Sequence, residues 1–317
     1  MEVVRGIEAF PQQRVPVVLG LGTFDGMHLG HQALLSEVVR IAGEQEGRGA
    51  AITFDPHPLA VIAPPPEPFL LTTIEERLRL IASLRIDLAL VIRFDAELRQ
   101  VSAQEWMELL LRHVRMSDVV CGSNYTFGRD RAGTVQLLRG WAEAEGVRVH
   151  IVPPVRVGGA LVSSTLIRRL LRAGDVAEAA RYLGRWYTLR GTVQRGDARG
   201  RTLGFPTANL SLPEEKLIPG TGIYTAMART ERGLHQAAVS IGTRPTFGPG
   251  ALVVEAYLLE FSGDLYGETL ELHFVQRLRD ELAFASEAAL IRQMREDVSE
   301  TARLLAHVEA PAPFGAV

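Results

Sequence analysis

The chain has 317 residues, of which 47% are hydrophobic and 22% charged, and its net charge is −3. That length suits two domains with separate cores, and the balance is ordinary for a globular protein. The slight acidity excludes a general affinity for nucleic acid or an anionic membrane, and no basic stripe with interleaved aromatics appears.

Cys121 is the single cysteine, so no intrachain disulfide can form. The first residues lack a basic-then-apolar leader and no apolar run could span a bilayer, so a cytoplasmic protein is expected. Lys216 is the only lysine, which leaves anion contacts to arginine, histidine and backbone N–H groups.

The first informative stretch is Gly20–Leu21–Gly22–Thr23–Phe24–Asp25–Gly26–Met27–His28–Leu29–Gly30–His31. Val17–Val18–Leu19 precedes it, and Leu34, Leu35, Val38, Val39 and Ala42 follow at helical spacing, which predicts a strand, a glycine turn and a helix opening near His28. A helix N-terminus reached through glycines suits a polyphosphate, and His28 and His31 share one face of its first turn. Asp25 stands where a dinucleotide fingerprint needs its last glycine, a Walker A loop would need a lysine, and no third ligand completes a zinc site. A turn with two solvated histidines is the plain alternative.

Farther on, Ala50–Phe54 predicts a strand and Asp55–Pro56–His57–Pro58 a turn. Ala63 to Pro68 is a stiff proline-rich loop, and Thr72 or Thr73 caps the next helix. Leu88–Ile92, Val119–Cys121 and Val147–Val152 predict strands, with helices from a Ser102/Glu105 capping box and over Thr134–Glu145. Strands alternating with helices imply a parallel sheet covered on both faces, with ligands at the carboxyl ends of its strands.

Two later stretches belong to that edge. Gly122–Ser123–Asn124–Tyr125–Thr126–Phe127–Gly128 offers the amide of Asn124, although a polar loop reads the same way. Val162–Ser163–Ser164–Thr165–Leu166–Ile167–Arg168 sets hydroxyls at a helix start and an arginine one turn in. Hydroxyl capping is routine, but a cation beside an N-terminal dipole is unfavourable until an anion arrives.

Gly22–His31, Phe54–Pro58, Gly122–Gly128 and Ser163–Arg168, in this order, resemble the adenylyltransferase domain of the bifunctional riboflavin kinase/FAD synthetase family. The resemblance implies a Rossmann-like nucleotidyltransferase domain that transfers AMP from ATP to FMN and releases pyrophosphate. It assigns Gly22, Phe24, Asp25, Gly26, His28, His31, Ser163, Ser164, Thr165 and Arg168 to ATP and its phosphates, with His28 and His31 catalytic. His57 and Asn124 fall on the FMN side.

The second half differs in character. Asp175 caps a short helix ending near Leu183–Gly184, after which come β-rich runs at Tyr187–Gln194, Ala208–Leu210, Ile223–Ala228, Ala237–Ile241, Val253–Leu259 and Leu270–Val275. Their spacing predicts a closed antiparallel barrel. Ser286 caps a closing helix with Leu290, Ile291, Met294, Val298, Ala302 and Leu305 on one face.

Within Gly200–Arg201–Thr202–Leu203–Gly204–Phe205–Pro206–Thr207–Ala208–Asn209, glycines permit a loop over phosphates and Thr207 and Asn209 alternate onto one strand face. Their neutral oxygens suit Mg²⁺ when ATP supplies the charge, whereas an ordinary hairpin is the plain alternative. Glu255 shares a face with Val253, Tyr257 and Leu259, so it is a rim charge or a general base.

These residues, with Gly191–Val193, Gly222–Tyr224, Arg244–Gly248, Asp264–Gly267 and Arg277–Glu281, resemble the riboflavin kinase domain of the same family. That implies ATP-dependent phosphorylation of riboflavin, with Gly200, Arg201, Gly204, Pro206 and Thr207 on ATP, and Thr207 and Asn209 on Mg²⁺. By the same resemblance Glu255 would take the hydroxyl proton, and Arg277 and Arg279 would lie near the flavin. Ser240, Tyr257 and Glu260 depart mildly from the family's Asn, His and Asp and remove no catalytic group.

The expected architecture is α/β: a parallel-sheet domain over 1–184, then an antiparallel barrel with a C-terminal helix over 185–317. The expected protein is a monomer or weak homo-oligomer acting on small molecules, ATP, riboflavin and FMN. The alternatives are a single-activity FAD synthetase whose barrel only binds flavin, and a non-catalytic flavin sensor.

Overall fold

The computed structural model describes residues 1–196, 200, 203–243 and 252–308. They divide into two compact units, one spanning Met1–Ser164 and one beginning at Thr165.

The first unit contains β1 (Glu2–Arg5), β2 (Val17–Leu21), α1 (Leu29–Glu44), β3 (Arg48–Phe54), α2 (Pro58–Ile62), α3 (Ile74–Ser83) and β4 (Leu88–Ile92). It continues through α4 (Ala103–Val114), β5 (Asp118–Gly122), α5 (Val135–Ala144), β6 (Arg148–Val152) and a small hairpin of β7 (Arg156–Val157) and β8 (Ala160–Leu161). Six strands form one parallel sheet in the order β1-β4-β3-β2-β5-β6.

Every residue of β2 and β4 is buried, as the unbroken apolar runs require of strands covered on both faces. Val17, Leu19 and Leu21 pack with Trp106, Met107, Leu110 and Leu138 from α4 and α5. Val18, on the opposite face, packs with Leu34, Leu35 and Val38 of α1 and Ile81 of α3. Helices therefore cover both sides of the sheet. Capping boxes at Thr73 and Ser102 open α3 and α4, so Thr73 and not Thr72 is the cap.

From β2 the chain winds one way through β3 and β4, then crosses back to β5 and β6. The crevice at the carboxyl ends of β2 and β5 is the topological switch point, where such sheets bind ligands. The glycine turn leaves β2 there and the Asn124 loop leaves β5 there.

Three pieces of this unit escape the sequence patterns. β1 and the β7–β8 hairpin are too short for periodicity to register. Pro58, read as part of a turn, starts α2 instead, with His57 as its cap.

The second unit opens on α6 (Ser164–Arg172, its first residue in the unit before) and α7 (Val176–Leu183), which Asp175 caps. β9 (Tyr187–Gln194), β10 (Ala208–Ser211), β11 (Gly222–Thr230), β12 (Gly233–Thr243), β13 (Leu252–Leu258) and β14 (Thr269–Arg279) close an antiparallel barrel. Alternate residues fill it, including Leu189, Tyr224, Val239, Val254, Leu272 and Phe274. α7 packs on β9 and β14, and α8 (Glu287–Leu305, capped by Ser286) packs on β11 and β12. The β11–β12 hairpin and β14 run past the expected ends because polar residues keep the backbone ladder going after apolar alternation stops.

Candidate functional site

His28 is the N-cap of α1, and its Nδ1 accepts the His31 N–H at 3.2 Å. An imidazole that accepts through Nδ1 carries its proton, when neutral, on Nε2. The two imidazoles stack with centroids 3.6 Å apart and planes 15° apart, and Phe24 meets His31 edge-on at 5.4 Å. Both rings line a cleft of about 970 Å³ that Gly22, His57, Asn124, Ser163 and Ser164 also line. The first unit thus gathers seven expected site residues around one cavity at the switch point.

Five aromatic rings form part of the cavity's remaining lining. Phe54 lies 5.8 Å from Phe94 and 6.1 Å from Trp106, and Tyr125 stacks on Phe127 at 5.5 Å. All five border the cleft. Burial pushes the Tyr125 phenol up, so it stays neutral, and burial likewise lifts the Cys121 thiol to about 11, an inert group. Phe94 and Trp106 escape a sequence reading because an aromatic on a buried helix face or after a strand carries no mark of what it faces.

Two of the residues expected at ATP do not line the cleft. Phe24 and Asp25 are wholly buried. The Asp25 carboxylate accepts from Leu71 N at 3.2 Å, Thr72 N at 2.9 Å and Thr72 Oγ1 at 3.0 Å, and faces Arg77 at 3.8 Å. A carboxylate so engaged holds the turn in shape. Gly26 adopts φ +81°, the conformation glycine tolerates best. Ser164 Oγ donates to the Asp25 carbonyl at 3.0 Å, which ties the serine pair to the same turn. Thr165 and Arg168 follow on α6 in the second unit, the first exposed and the second half-buried.

In the barrel, Asn209 stands opposite Glu255 across the β10–β13 pair, and Glu255 stands opposite Ser240 across β12–β13. The same lateral row runs through Gln194 at one end and Ile223 and Arg279 at the other. Val254 and Ala256 are buried in the barrel, while Val253, Glu255 and Tyr257 are half-buried on its outer face. Glu255 therefore stands on a partly solvated surface and not on a sealed apolar one.

Thr207 leads into β10, two residues before Asn209 and on the same face by strand alternation. The Gly200 carbonyl accepts from Leu203 N and Phe205 N, at 3.2 and 2.8 Å, and Gly204 takes φ +86° beside the exposed Pro206. Arg201 and the 244–248 stretch lie outside the described residues. Thr207 and Asn209 are hard, neutral oxygen donors with a carboxylate in the adjoining register position, a donor set that fits Mg²⁺ held jointly with phosphate.

The two arginines expected near flavin have structural partners. Arg279 grips Asp297 of α8 through Nε at 2.9 Å and Nη2 at 2.6 Å. Arg277 donates to the Thr221 carbonyl and pairs with Asp280 at 2.7 Å. Both fasten the end of β14 to its surroundings, a role that only their partners in space reveal.

Known proteins divide along the same lines. A family described as FAD synthetase matches residues 10–166, and one described as riboflavin kinase matches residues 183–305. A bifunctional riboflavin kinase/FMN adenylyltransferase of Listeria monocytogenes is 37% identical over 92% of this chain and 93% of its own. The protein of the same name from Escherichia coli is 34% identical over 94% of this chain and 96% of its own. A solved structure named as a macrolide-efflux protein from Streptococcus pneumoniae superposes with a TM-score of 0.87 at 30% identity, covering 95% of this chain and 99% of that one. No helix among the described residues is long and apolar enough to cross a membrane. Tandem matches over nearly the whole length leave one conclusion: this chain belongs to the bifunctional riboflavin kinase/FMN adenylyltransferase family.

Proposed function

We propose that the chain phosphorylates riboflavin with ATP, giving FMN and ADP, and then adenylylates FMN with a second ATP, giving FAD and pyrophosphate. The observation that carries this reading is the tandem of two family matches, each falling on a fold of its own. The functional boundary is placed at residue 184, which assigns α6 and α7 to the adenylyltransferase. The start of the riboflavin kinase match at residue 183 supports that placement.

In the adenylyl step, a phosphate oxygen of FMN attacks the α-phosphorus of ATP and pyrophosphate departs. Negative charge grows on the α-phosphate oxygens, and N–H donors already aimed at them lower the barrier without reorganising. His28 and His31 are those donors, the stacked pair on the cleft wall. Ser163, Ser164, Thr165 and Arg168 hold the outgoing phosphates, and His57 and Asn124 face the flavin phosphate. The aromatic wall of Phe54, Phe94, Trp106 and Tyr125 suits a planar apolar ring.

In the kinase step, the terminal hydroxyl of the ribityl chain attacks the γ-phosphorus and ADP departs. Glu255 accepts the hydroxyl proton as general base. Thr207 and Asn209 are the side chains that would hold Mg²⁺, which when bound neutralises charge on the transferred phosphoryl group. Gly200, Gly204 and Pro206 are assigned to the nucleotide in this reading. The proposal keeps the protein in the cytoplasm, as a monomer or weak homo-oligomer.

Incubating the purified chain with riboflavin, ATP and Mg²⁺ and resolving the flavins by chromatography tests the reading. FMN is expected first and FAD after it, with ADP and pyrophosphate in step. FAD from added FMN without any FMN from riboflavin would reduce the barrel to a binding module, and no flavin product at all would remove both activities.

A further inference from the structure

Arg77 lies on α3 with its side chain only 2% exposed. Its Nη1 donates to Thr53 Oγ1 and to the Phe54 carbonyl, both at 3.0 Å. Its Nη2 donates to the Thr72 carbonyl at 3.4 Å and faces Asp25 at 3.8 Å. Thr53 Oγ1 in turn donates to the Thr23 carbonyl at 2.8 Å, and Thr72 Oγ1 accepts the Gly26 N–H at 3.0 Å.

One planar fork thus joins two walls of the cleft from behind. On one side is the glycine turn that presents His28 and His31; on the other is the end of β3, which leads through Phe54 to His57. All four side chains line the cavity, whereas Arg77, Asp25 and Thr53 are buried behind it. A guanidinium can hold several acceptors in one rigid plane, and an ammonium on a flexible stem cannot.

We infer that Arg77 is a positioning residue for adenylyl transfer, fixing the imidazole wall against the flavin-side wall so that nucleophile and leaving group line up. This rests on the adenylyltransferase reading above. The chemistry demands it: an in-line displacement between two bound substrates gains most from orientation, and a misplacement of about 1 Å costs about 100-fold.

The test uses the full chain with two mild substitutions, Arg77→Lys and Thr53→Val. Lysine keeps the positive charge near Asp25 but loses the fork, and valine keeps the shape of threonine but loses both hydroxyl bonds. FAD formation from FMN and ATP is measured with rates divided by the number of FAD-binding sites titrated on the same preparation. FMN formation from riboflavin serves as the internal control.

Arg77→Lys is expected to lower kcat per site for FAD formation about 10- to 100-fold with each KM changed less than about threefold. Thr53→Val is expected to lower it less, in the same direction. FMN formation stays at the parental rate in both. A kcat per titrated site within about twofold of the parent, or a loss confined to KM, overturns the inference, since either would leave Arg77 a role in stability or binding alone. A parent chain that forms no FAD sinks the adenylyltransferase reading and this inference with it; a parent that forms FAD beside unimpaired variants defeats the inference alone.

Discussion

Asn209 and Glu255 face each other directly across the β10–β13 ladder, an amide and a carboxylate on the outer face of a closed barrel. Side chains so paired lie about 5 Å apart at Cβ, close enough to act on one phosphoryl group and the hydroxyl that attacks it. Ser240 flanks Glu255 from the other neighbouring strand. If Glu255 is the base, Glu255→Gln preserves the row and removes the proton acceptor. FMN formation is then expected to fall about 100- to 10,000-fold, while FAD formation from supplied FMN holds. Separate assays of the two products check this.

His28 is the cap of α1, so a test of its proposed catalytic role needs a control. His28→Asn keeps a side-chain acceptor at the cap, whereas His28→Ala loses about 1 kcal/mol of helix stability as well. Both are expected to lower FAD formation by about 100- to 1,000-fold and to spare FMN formation. Melting curves beside the rates separate the cap from the catalysis, because only the alanine variant melts earlier.

Gly26 offers a backbone test. At φ +81° an added Cβ would lie 2.6 Å from Leu71 Cδ1, so Gly26→Ala meets both strain and overlap. A loss of more than about 1 kcal/mol is expected. Its site is the turn that carries His28, so FAD formation falls with stability while FMN formation persists. Chemical denaturation followed with both assays measures it.

Arg279 and Asp297 form a bidentate pair between β14 and α8, with side chains 20% and 10% exposed. Removing one partner strands the other in a poorly solvated place, and Arg279→Met is expected to cost about 2–3 kcal/mol. The double variant Arg279→Met with Asp297→Leu recovers part of that, because no lone charge is left behind. A calorimetric cycle over the four proteins tests the pairing.

Asp118 sits at the amino end of β5, with a fully buried carboxylate. Burial alone would raise its pKa, but bonds from His150, Arg148, Ser117 and Gln45 together outweigh burial and leave it below the ordinary range. A depressed carboxyl stabilises the fold above its unfolded value of about 3.9 and loses that contribution as pH falls through the folded value. Asp118→Asn is therefore expected to lower the melting temperature at neutral pH. The gap from the parent closes as pH falls below about 4. Melting temperatures taken between pH 7 and pH 3 decide it.

Much of this protein is written locally. Apolar runs at Val17–Leu21 and Leu88–Ile92, capping residues at Thr73, Ser102 and Ser286, and glycines with positive φ each act within a few residues of themselves. Such signals determine by sequence alone a parallel α/β half, a barrel half and the imidazole pair at a helix start. What only the tertiary structure decided is which side chains spend their charge on the protein itself. In the fold Leu71, Thr72 and Arg77 close around the Asp25 carboxylate, and Asp297 closes on Arg279. Those partners come from other elements and meet only when the chain folds, because the energy of a buried charge depends on what surrounds it in space and not on its neighbours along the chain.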